Sequence, residues 1–101
     1  MAKVNWTFQA LEDVSDIADF HAQNSERYSS FLVSRFFERT ELLEPFPHSG
    51  RIVPEANLPS IRELLVNNYR IIYAVPNADE VNILAVRHSA RPLSEFSLKH
   101  E

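Results

Sequence analysis

The sequence has no cysteine, a single glycine and no long hydrophobic run. Without cysteine, disulfide bonds and thiolate metal sites are excluded, and a reducing compartment such as the cytoplasm suits the chain. No apolar run follows Lys3, and no stretch approaches the roughly 18 apolar residues of a membrane span. We therefore expect a soluble cytoplasmic protein without a signal peptide or a membrane anchor.

Basic charge is also scarce, and the deficit lies in the first half of the chain. The formal net charge is −4. Residues 1–50 contain four basic and eight acidic side chains, whereas residues 51–101 contain six of each. Because proteins that bind nucleic acid unaided are normally basic, this balance argues against direct nucleic-acid binding. The four histidines have no metal-binding spacing and no phosphate-binding loop is present, so we expect no metal or cofactor.

What is present fits one small domain, residues 1–101, that begins with a strand and two helices. Residues 4–6 favour a strand, and Thr7 and Ser25 are suitable helix N-caps. Apolar side chains then recur at helical spacing, until Pro45 and Pro47 end the second helix. We expect the first helix to turn one face to the core and to leave most acidic residues outside it. The expected core face is Leu11, Val14, Ile17, Ala18 and His21, and the expected outer residues include Asp13.

After Gly50 the pattern of apolar residues changes to period two, which is typical of strands. We expect strands at 51–53, 61–66, 69–75 and 80–86, with turns at 67–68 and 76–79. The order β-α-α-β-β-β-β predicts an α+β domain, in which an antiparallel two-helix hairpin covers one face of a mainly antiparallel sheet. The other face is then left for water or for a partner.

Arg70 is the most informative of the charged residues, because it interrupts an otherwise apolar strand. A charge in such a place requires a partner. One interpretation is a structural ion pair, with Glu63 on the neighbouring strand as the candidate partner. The other is a site that binds an anion or a partner protein, which suits the planar fork of arginine.

Other candidate residues lie mostly in the second half of the chain. Arg51, Arg62, Tyr69 and Arg91 are candidates for binding a target or partner, and Glu55 and His88 are candidates for acid–base chemistry together with Arg70. A simpler interpretation of Arg62 and Glu63 is a solvated charge pair of under ~1 kcal/mol. The phenylalanines of the second helix, Phe31, Phe36 and Phe37, are most simply core, although a protruding one would line a groove for a partner.

Three segments, taken in order, resemble ParE toxins of the RelE/ParE superfamily. Residues 47–55 resemble the P-x-x-G-R-x-V-P-E segment of that family. Residues 61–64 and 69–73 resemble its I-R-E-L and Y-R-I-x-Y strands, and residues 86–91 resemble its V-x-H-x-x-R ending. Each motif alone is weak, but the three in this order and spacing are specific.

The resemblance implies a helical hairpin on an antiparallel sheet and a toxin of a type II toxin–antitoxin, or plasmid stabilisation, system. It implies a cognate ParD-like antitoxin whose C-terminal segment folds over the toxin. ParE-type toxins are described as inhibitors of DNA gyrase, and RelE-type relatives as nucleases that cut mRNA on the ribosome.

The residues favour the ParE branch. RelE-type cleavage requires a base, an acid and cations for the phosphate. The strand before Tyr69 has no lysine, and Ser89 and Ala90 follow His88 where a catalytic tyrosine is expected. The nuclease alternative would rely on Arg70, His88 and Glu55, and a third alternative is a non-toxic family member kept for partner binding. We expect the antitoxin to cover the aromatic residues of the second helix and part of the arginines on the sheet.

Overall fold

A computed structural model describes residues 1–90, and residues 91–101 lie outside this description. The elements follow the predicted order: β1 (Lys3–Trp6), α1 (Phe8–Ala22), α2 (Glu26–Glu41), β2 (Arg51–Ile52), β3 (Ile61–Val66), β4 (Tyr69–Asn77) and β5 (Glu80–His88). The sheet order is β1-β5-β4-β3-β2. β1 runs parallel to β5, and all other neighbours are antiparallel. The predicted α+β architecture is confirmed, and no helix in residues 1–90 is long and apolar enough to cross a membrane.

Both helices begin at the predicted caps. The Thr7 hydroxyl accepts a hydrogen bond from the Ala10 N–H at 3.2 Å, and the Ser25 hydroxyl accepts one from the Tyr28 N–H at 3.0 Å. Each cap satisfies one of the N–H groups that have no partner in the first turn of a helix. The second helix ends before Pro45, as the proline pattern predicts.

The predicted buried face of α1 was wrong at two positions. Leu11 is half-exposed, and Asp13 is buried with Ala10 and Val14. The physical reason is a long-range contact, because the Asp13 carboxylate accepts a hydrogen bond of 2.9 Å from the backbone N–H of Val86 in β5. A helical period alone gives no sign of such a partner, so the pattern places the aspartate in solvent.

The main hydrophobic core lies between the two helices and one face of the sheet, here called the helix-side face. In β4 the alternate residues Tyr69, Ile71, Tyr73 and Val75 point into this core. Buried residues of the helices meet them, chiefly Ala10, Val14, Leu32 and Phe36. Strand alternation therefore sends Arg70, Ile72 and Ala74 to the opposite face, called the far face, as the sequence predicts.

The far face is partly covered by the chain itself, so the expectation that it is left for water or a partner was wrong for this part. After β2 the segment 53–60 folds back over the sheet, with the Val53 N–H donating to the Ile61 carbonyl at 3.1 Å. Val53 and Ala56 pack on a second apolar cluster formed by Ile61, Ile72, Ala74 and Leu84. Asn57 takes a left-handed conformation with φ of 51°, one that asparagine tolerates, and this allows the segment to turn back.

Gly50 and Asn67 occupy the two places where the backbone restricts the residue type. The hairpin between β3 and β4 turns at Asn67, whose φ of 54° is left-handed, as the asparagine pair predicts. The Gly50 N–H donates to the Tyr73 hydroxyl at 2.9 Å. A Cβ atom at Gly50 would lie 2.5 Å from both the Glu63 carbonyl oxygen and the Tyr73 hydroxyl, so only glycine lets the loop approach β3 and β4 this closely.

Candidate functional site

Four charged side chains form a continuous network on the far face of the sheet. Glu63 of β3 pairs through its two oxygens with the Nε groups of Arg51 and Arg70. The guanidinium of Arg70 then reaches Glu55 in the segment 53–60, with Nη1 and Nη2 donating to the two carboxylate oxygens at 2.9 and 2.8 Å. We call Arg51, Glu55, Glu63 and Arg70 the charged network.

The strand register explains why these four residues meet. Arg51 lies directly opposite Glu63 in the β2–β3 pair, and Arg70 lies opposite Leu65, two residues further along β3. Residues two apart on a strand share a face, so Arg70 is the diagonal neighbour of Glu63. Glu55 is brought over the same face by the segment 53–60. The structural ion pair between Arg70 and Glu63, one of the two interpretations from the sequence, is confirmed.

The centre of the network is buried and its ends are exposed. The side chains of Glu63 and Arg70 are 0% and 7% exposed, whereas those of Arg51 and Glu55 are 58% and 43% exposed. Buried charges are tolerated when they are paired and hydrogen-bonded. In residues 1–90 no buried side-chain nitrogen or oxygen lacks a partner. The two arginines and two glutamates also cancel in formal charge.

The same contacts shift the pKa values at the outer end of the network. The hydrogen bonds from Arg70 lower the pKa of the Glu55 carboxyl from 4.5 to about 2. The hydrogen bonds that Arg70 donates to Glu55 and Glu63 raise its pKa above its already high usual value. Both groups are therefore charged at neutral pH, and the paired N–H groups of the arginine fork face a carboxylate of the same chain.

Arg62 serves the loop before β2 and does not pair with Glu63, so the interpretation of these two residues as a solvated charge pair was wrong. Adjacent strand residues point to opposite faces, and Arg62 lies on the helix side. Its guanidinium donates to the backbone carbonyls of Pro59, His48 and Gly50, at distances of 3.0, 3.1 and 2.9 Å. It thereby ties the loop before β2, at His48 and Gly50, to the end of the segment 53–60, at Pro59.

Tyr69 and His88 lie on the helix-side face, away from the charged network. They are directly opposite each other in the β4–β5 register, and their rings are 5.4 Å apart. The Tyr69 hydroxyl is 2.8 Å from Nε2 of His21 in α1, and burial raises the pKa of this tyrosine. The exposed His88 ring accepts a hydrogen bond at Nδ1 from the Ala90 N–H at 3.2 Å. The structure therefore brings Glu55 to Arg70, but it places His88 on the other side of the sheet.

A groove between α1 and the end of β5 opens beside His88. We call it the α1–β5 groove, and it is lined by Asp13, Asp16, Ile17, Phe20, Tyr69, Val86, Arg87 and His88. Arg87 reaches across it to the Asp13 carboxylate, with Nη1 and Oδ1 3.5 Å apart. Sequence reasoning missed this groove, because Phe20 and Asp16 lie on the side of α1 that the periodicity places in solvent. The signal in the sequence was Phe20, an aromatic residue on the acidic side of the predicted helix.

The two phenylalanines proposed for partner binding have opposite environments. Phe36 is 0% exposed and packs against Tyr69, so it has no surface to offer a partner. Phe31 is 53% exposed and lies beside Tyr28, with ring centroids 6.3 Å apart. Phe31 therefore remains the candidate of the two. The candidate Arg91 lies outside the described residues.

No group of histidine, cysteine, aspartate or glutamate side chains within residues 1–90 could hold a metal ion. The charged network itself consists of paired carboxylates and guanidinium groups.

Comparison with known proteins identifies the class to which this fold and these residues belong. The family model for the ParE toxin of the type II toxin–antitoxin system parDE matches residues 4–93. A relative named Toxin RelE2, from Caulobacter vibrioides, is 34% identical over 92 residues, which are 90% of this chain and 99% of the relative. The chain therefore belongs to the ParE toxin family, within the RelE/ParE superfamily, and is a toxin of the type II toxin–antitoxin class.

Solved structures agree on the fold. A structure of the chromosomal ParDE system from P. aeruginosa has a TM-score of 0.73 and 21% identity, and covers 87% of this chain and 96% of that chain. The YoeB dimer from Staphylococcus aureus has a TM-score of 0.58 and 16% identity, and covers 86% and 95%. A YoeB/ParE toxin from Agrobacterium tumefaciens has the same TM-score and 13% identity, and covers 85% and 96%. These likenesses extend to helices packed on a five-stranded sheet.

Proposed function

We propose that this chain, acting as one domain in the bacterial cytoplasm, is a toxin that works by binding its target, DNA gyrase. A ParD-like antitoxin is expected to neutralise it. The observation that carries the proposal is the state of Arg70, whose three nitrogens all donate to Glu55 or Glu63. An arginine held in this way has no fork left for an RNA phosphate.

The separation of the candidate catalytic groups supports the same proposal. Cleavage of RNA through its 2′-hydroxyl requires a base, an acid and a cation around one phosphate, within hydrogen-bonding reach of the reacting atoms. Glu55 and Arg70 lie on the far face, whereas His88 lies beside Tyr69 on the helix side. The sheet lies between them, so a single phosphate cannot touch all three groups in this arrangement.

The nuclease alternative has one specific observation in its favour, which is the name Toxin RelE2 of the relative at 34% identity. It requires that Arg70 exchange Glu55 for a phosphate and that His88 contribute to acid–base chemistry. His88 is exposed, and its replacement should leave the fold intact. The variant His88→Ala therefore separates the two functions cleanly.

The direct test is a supercoiling assay with purified toxin and purified gyrase. We expect the protein to inhibit supercoiling, and we expect His88→Ala to inhibit equally well. Primer extension on translated mRNA is the matched assay for cleavage in the ribosomal A site. Unchanged supercoiling at excess toxin, with A-site cuts that disappear in His88→Ala, would contradict the proposal and favour the nuclease.

A further inference from the structure

The α1–β5 groove combines exposed apolar surface with uncompensated negative charge. Phe20 is 61% exposed and lies at the groove with Ile17 and Val86. The helix that forms one wall, α1, contains four acidic residues and neither lysine nor arginine. Among residues 1–90 only Asp13 of these four has an ion-pair partner, Arg87. Asp16 therefore presents its charge to the groove without a cation from the described part of the chain.

The strand edge at the groove is already occupied, which restricts how a partner can dock. β1 pairs with β5 only as far as the Trp6–Ile83 pair. Beyond it, the Thr7 N–H and hydroxyl donate to the Ile83 carbonyl at 3.1 and 2.7 Å. The Asp13 carboxylate accepts a hydrogen bond from the Val86 N–H. Thr7 and Asp13 thus satisfy the Ile83 carbonyl and the Val86 N–H of this edge, so we expect a partner to dock there mainly through its side chains.

We propose that the α1–β5 groove binds a segment of the antitoxin that presents an apolar side chain flanked by lysine or arginine. The apolar side chain would lie against Phe20 and the partly buried Ile17, and the cation would lie beside Asp16. This inference rests on the proposed function, because it takes an antitoxin as the partner. It differs from the expectation based on the sequence, which places the antitoxin on the second helix and the sheet arginines.

The negative charge of α1 favours a basic partner segment at the groove, whereas the charged network has no net charge to attract one. In the charged network the two arginines and two glutamates cancel, so an approaching segment gains little electrostatic attraction there. At the groove the field of α1 is negative, and opposite charges on two partners speed their encounter and fix their orientation. Aromatic side chains are enriched among the residues that contribute most to binding, and Phe20 is an exposed aromatic residue that lines this groove.

The chain offers matched controls on the same helix. Phe8 is an exposed phenylalanine of α1, at 80%, and Glu12 is an exposed acidic residue of α1, and neither lines the groove. The experiment measures the affinity of the purified antitoxin, the product of the adjacent gene, for the wild-type toxin and four variants. These are Phe20→Ala, Asp16→Lys, Phe8→Ala and Glu12→Lys.

We expect Phe20→Ala and Asp16→Lys each to raise the Kd by about tenfold or more, and the two controls to change it by less than about twofold. Asp16→Lys should also reduce the dependence of the association rate on salt. Equal effects of the groove variants and their controls would overturn the proposal. Groove variants that instead shift the thermal unfolding or the self-association of the lone toxin, at unchanged antitoxin affinity, would also overturn it, since another occupant then fills the groove.

The outcome for the wild-type protein separates this inference from the proposed function. If the antitoxin does not bind wild-type toxin, the assignment of a toxin–antitoxin partner fails, and the groove proposal fails with it. If it binds wild type tightly and all four variants equally, the partner assignment stands and only the groove is wrong.

Discussion

The two faces of the sheet stabilise the protein by different means. The helix-side face buries a continuous apolar core beneath α1 and α2, including Tyr69, Ile71 and Tyr73. The far face combines a small apolar cluster beneath the segment 53–60 with the charged network around Glu63 and Arg70. The arginine that stands out most in the sequence is therefore paired with two carboxylates of the same chain.

The charge that is most prominent in the sequence therefore differs from the charge that is accessible to a partner in the structure. Arg70, the charge that interrupts an apolar strand, meets two carboxylates of its own chain. An accessible charge that has no ion-pair partner among residues 1–90 lies on the other side, at Asp16 beside the α1–β5 groove. Substitutions in the charged network should therefore change mainly the free energy of unfolding, and substitutions in the α1–β5 groove should change mainly the affinity for a partner.

Removal of the central carboxylate should have the largest effect. Glu63→Ala leaves buried Arg70 without its inner partner, and breaking one side of a buried ion pair costs about 3–5 kcal/mol. Urea unfolding at neutral pH measures this loss. The control Glu41→Ala removes an exposed glutamate of α2 and should change the free energy of unfolding by less than about 0.5 kcal/mol. Similar losses of unfolding free energy in both variants would show that the charged network does not stabilise the protein more than an exposed glutamate does.

A smaller loss is expected on the helix-side face from Tyr73→Phe. The Tyr73 hydroxyl accepts the Gly50 N–H, and its removal leaves that buried N–H without a partner at a cost of about 1–2 kcal/mol. The midpoint temperature of thermal unfolding should fall by several degrees for a domain of this size. A Tyr73→Phe variant as stable as wild type would mean that the loop before β2 does not depend on this bond.

The smallest effect is expected at the exposed end of the network and depends on pH. Because Arg70 lowers the pKa of Glu55 to about 2, the unfolded chain binds a proton before the folded protein does as the pH falls. The contribution of Glu55 is therefore complete above about pH 4.5 and is lost as the pH falls towards 2. Since this side chain is 43% exposed, solvent screening limits the contribution to under about 1 kcal/mol.

Glu55→Gln tests this sign. The variant should be slightly less stable than wild type at pH 7, and the difference should shrink at pH 3 and vanish near pH 2. The comparison requires urea unfolding of both proteins at each pH. A difference that stays constant across this range would mean that Glu55 contributes by packing alone, without its charge.

Much of the fold follows from local sequence signals. Thr7 and Ser25 cap the helices, Asn67 forms the hairpin turn, and strand alternation separates Tyr69 from Arg70. Each of these depends on residues that are near one another in the chain, so a reading of the sequence can find them. The family motifs identify the class in the same way.

The misplaced residues all depend on distant partners. Asp13 is buried because Val86 donates to it from 73 residues away, and periodicity contains no information about that contact. Glu63 pairs with Arg51 and Arg70, not with its neighbour Arg62, because the strand register places Arg51 opposite Glu63 and Arg70 diagonal to it on the far face. The positions of Glu55 and His88 on opposite faces likewise follow only from the strand register and the path of the chain.

The measurement that tests the central claim most directly is induction of the toxin in a bacterial host without antitoxin, followed by separate labelling of DNA and protein synthesis. We predict a prompt fall in DNA synthesis while protein synthesis continues. The reason is that Arg70, hydrogen-bonded to Glu55 and Glu63, is not free to bind an RNA phosphate, and the proposed toxin acts by binding gyrase. A prompt fall in protein synthesis would contradict this account and would return Arg70 and His88 to catalytic roles. Unaffected growth would instead identify a non-toxic family member.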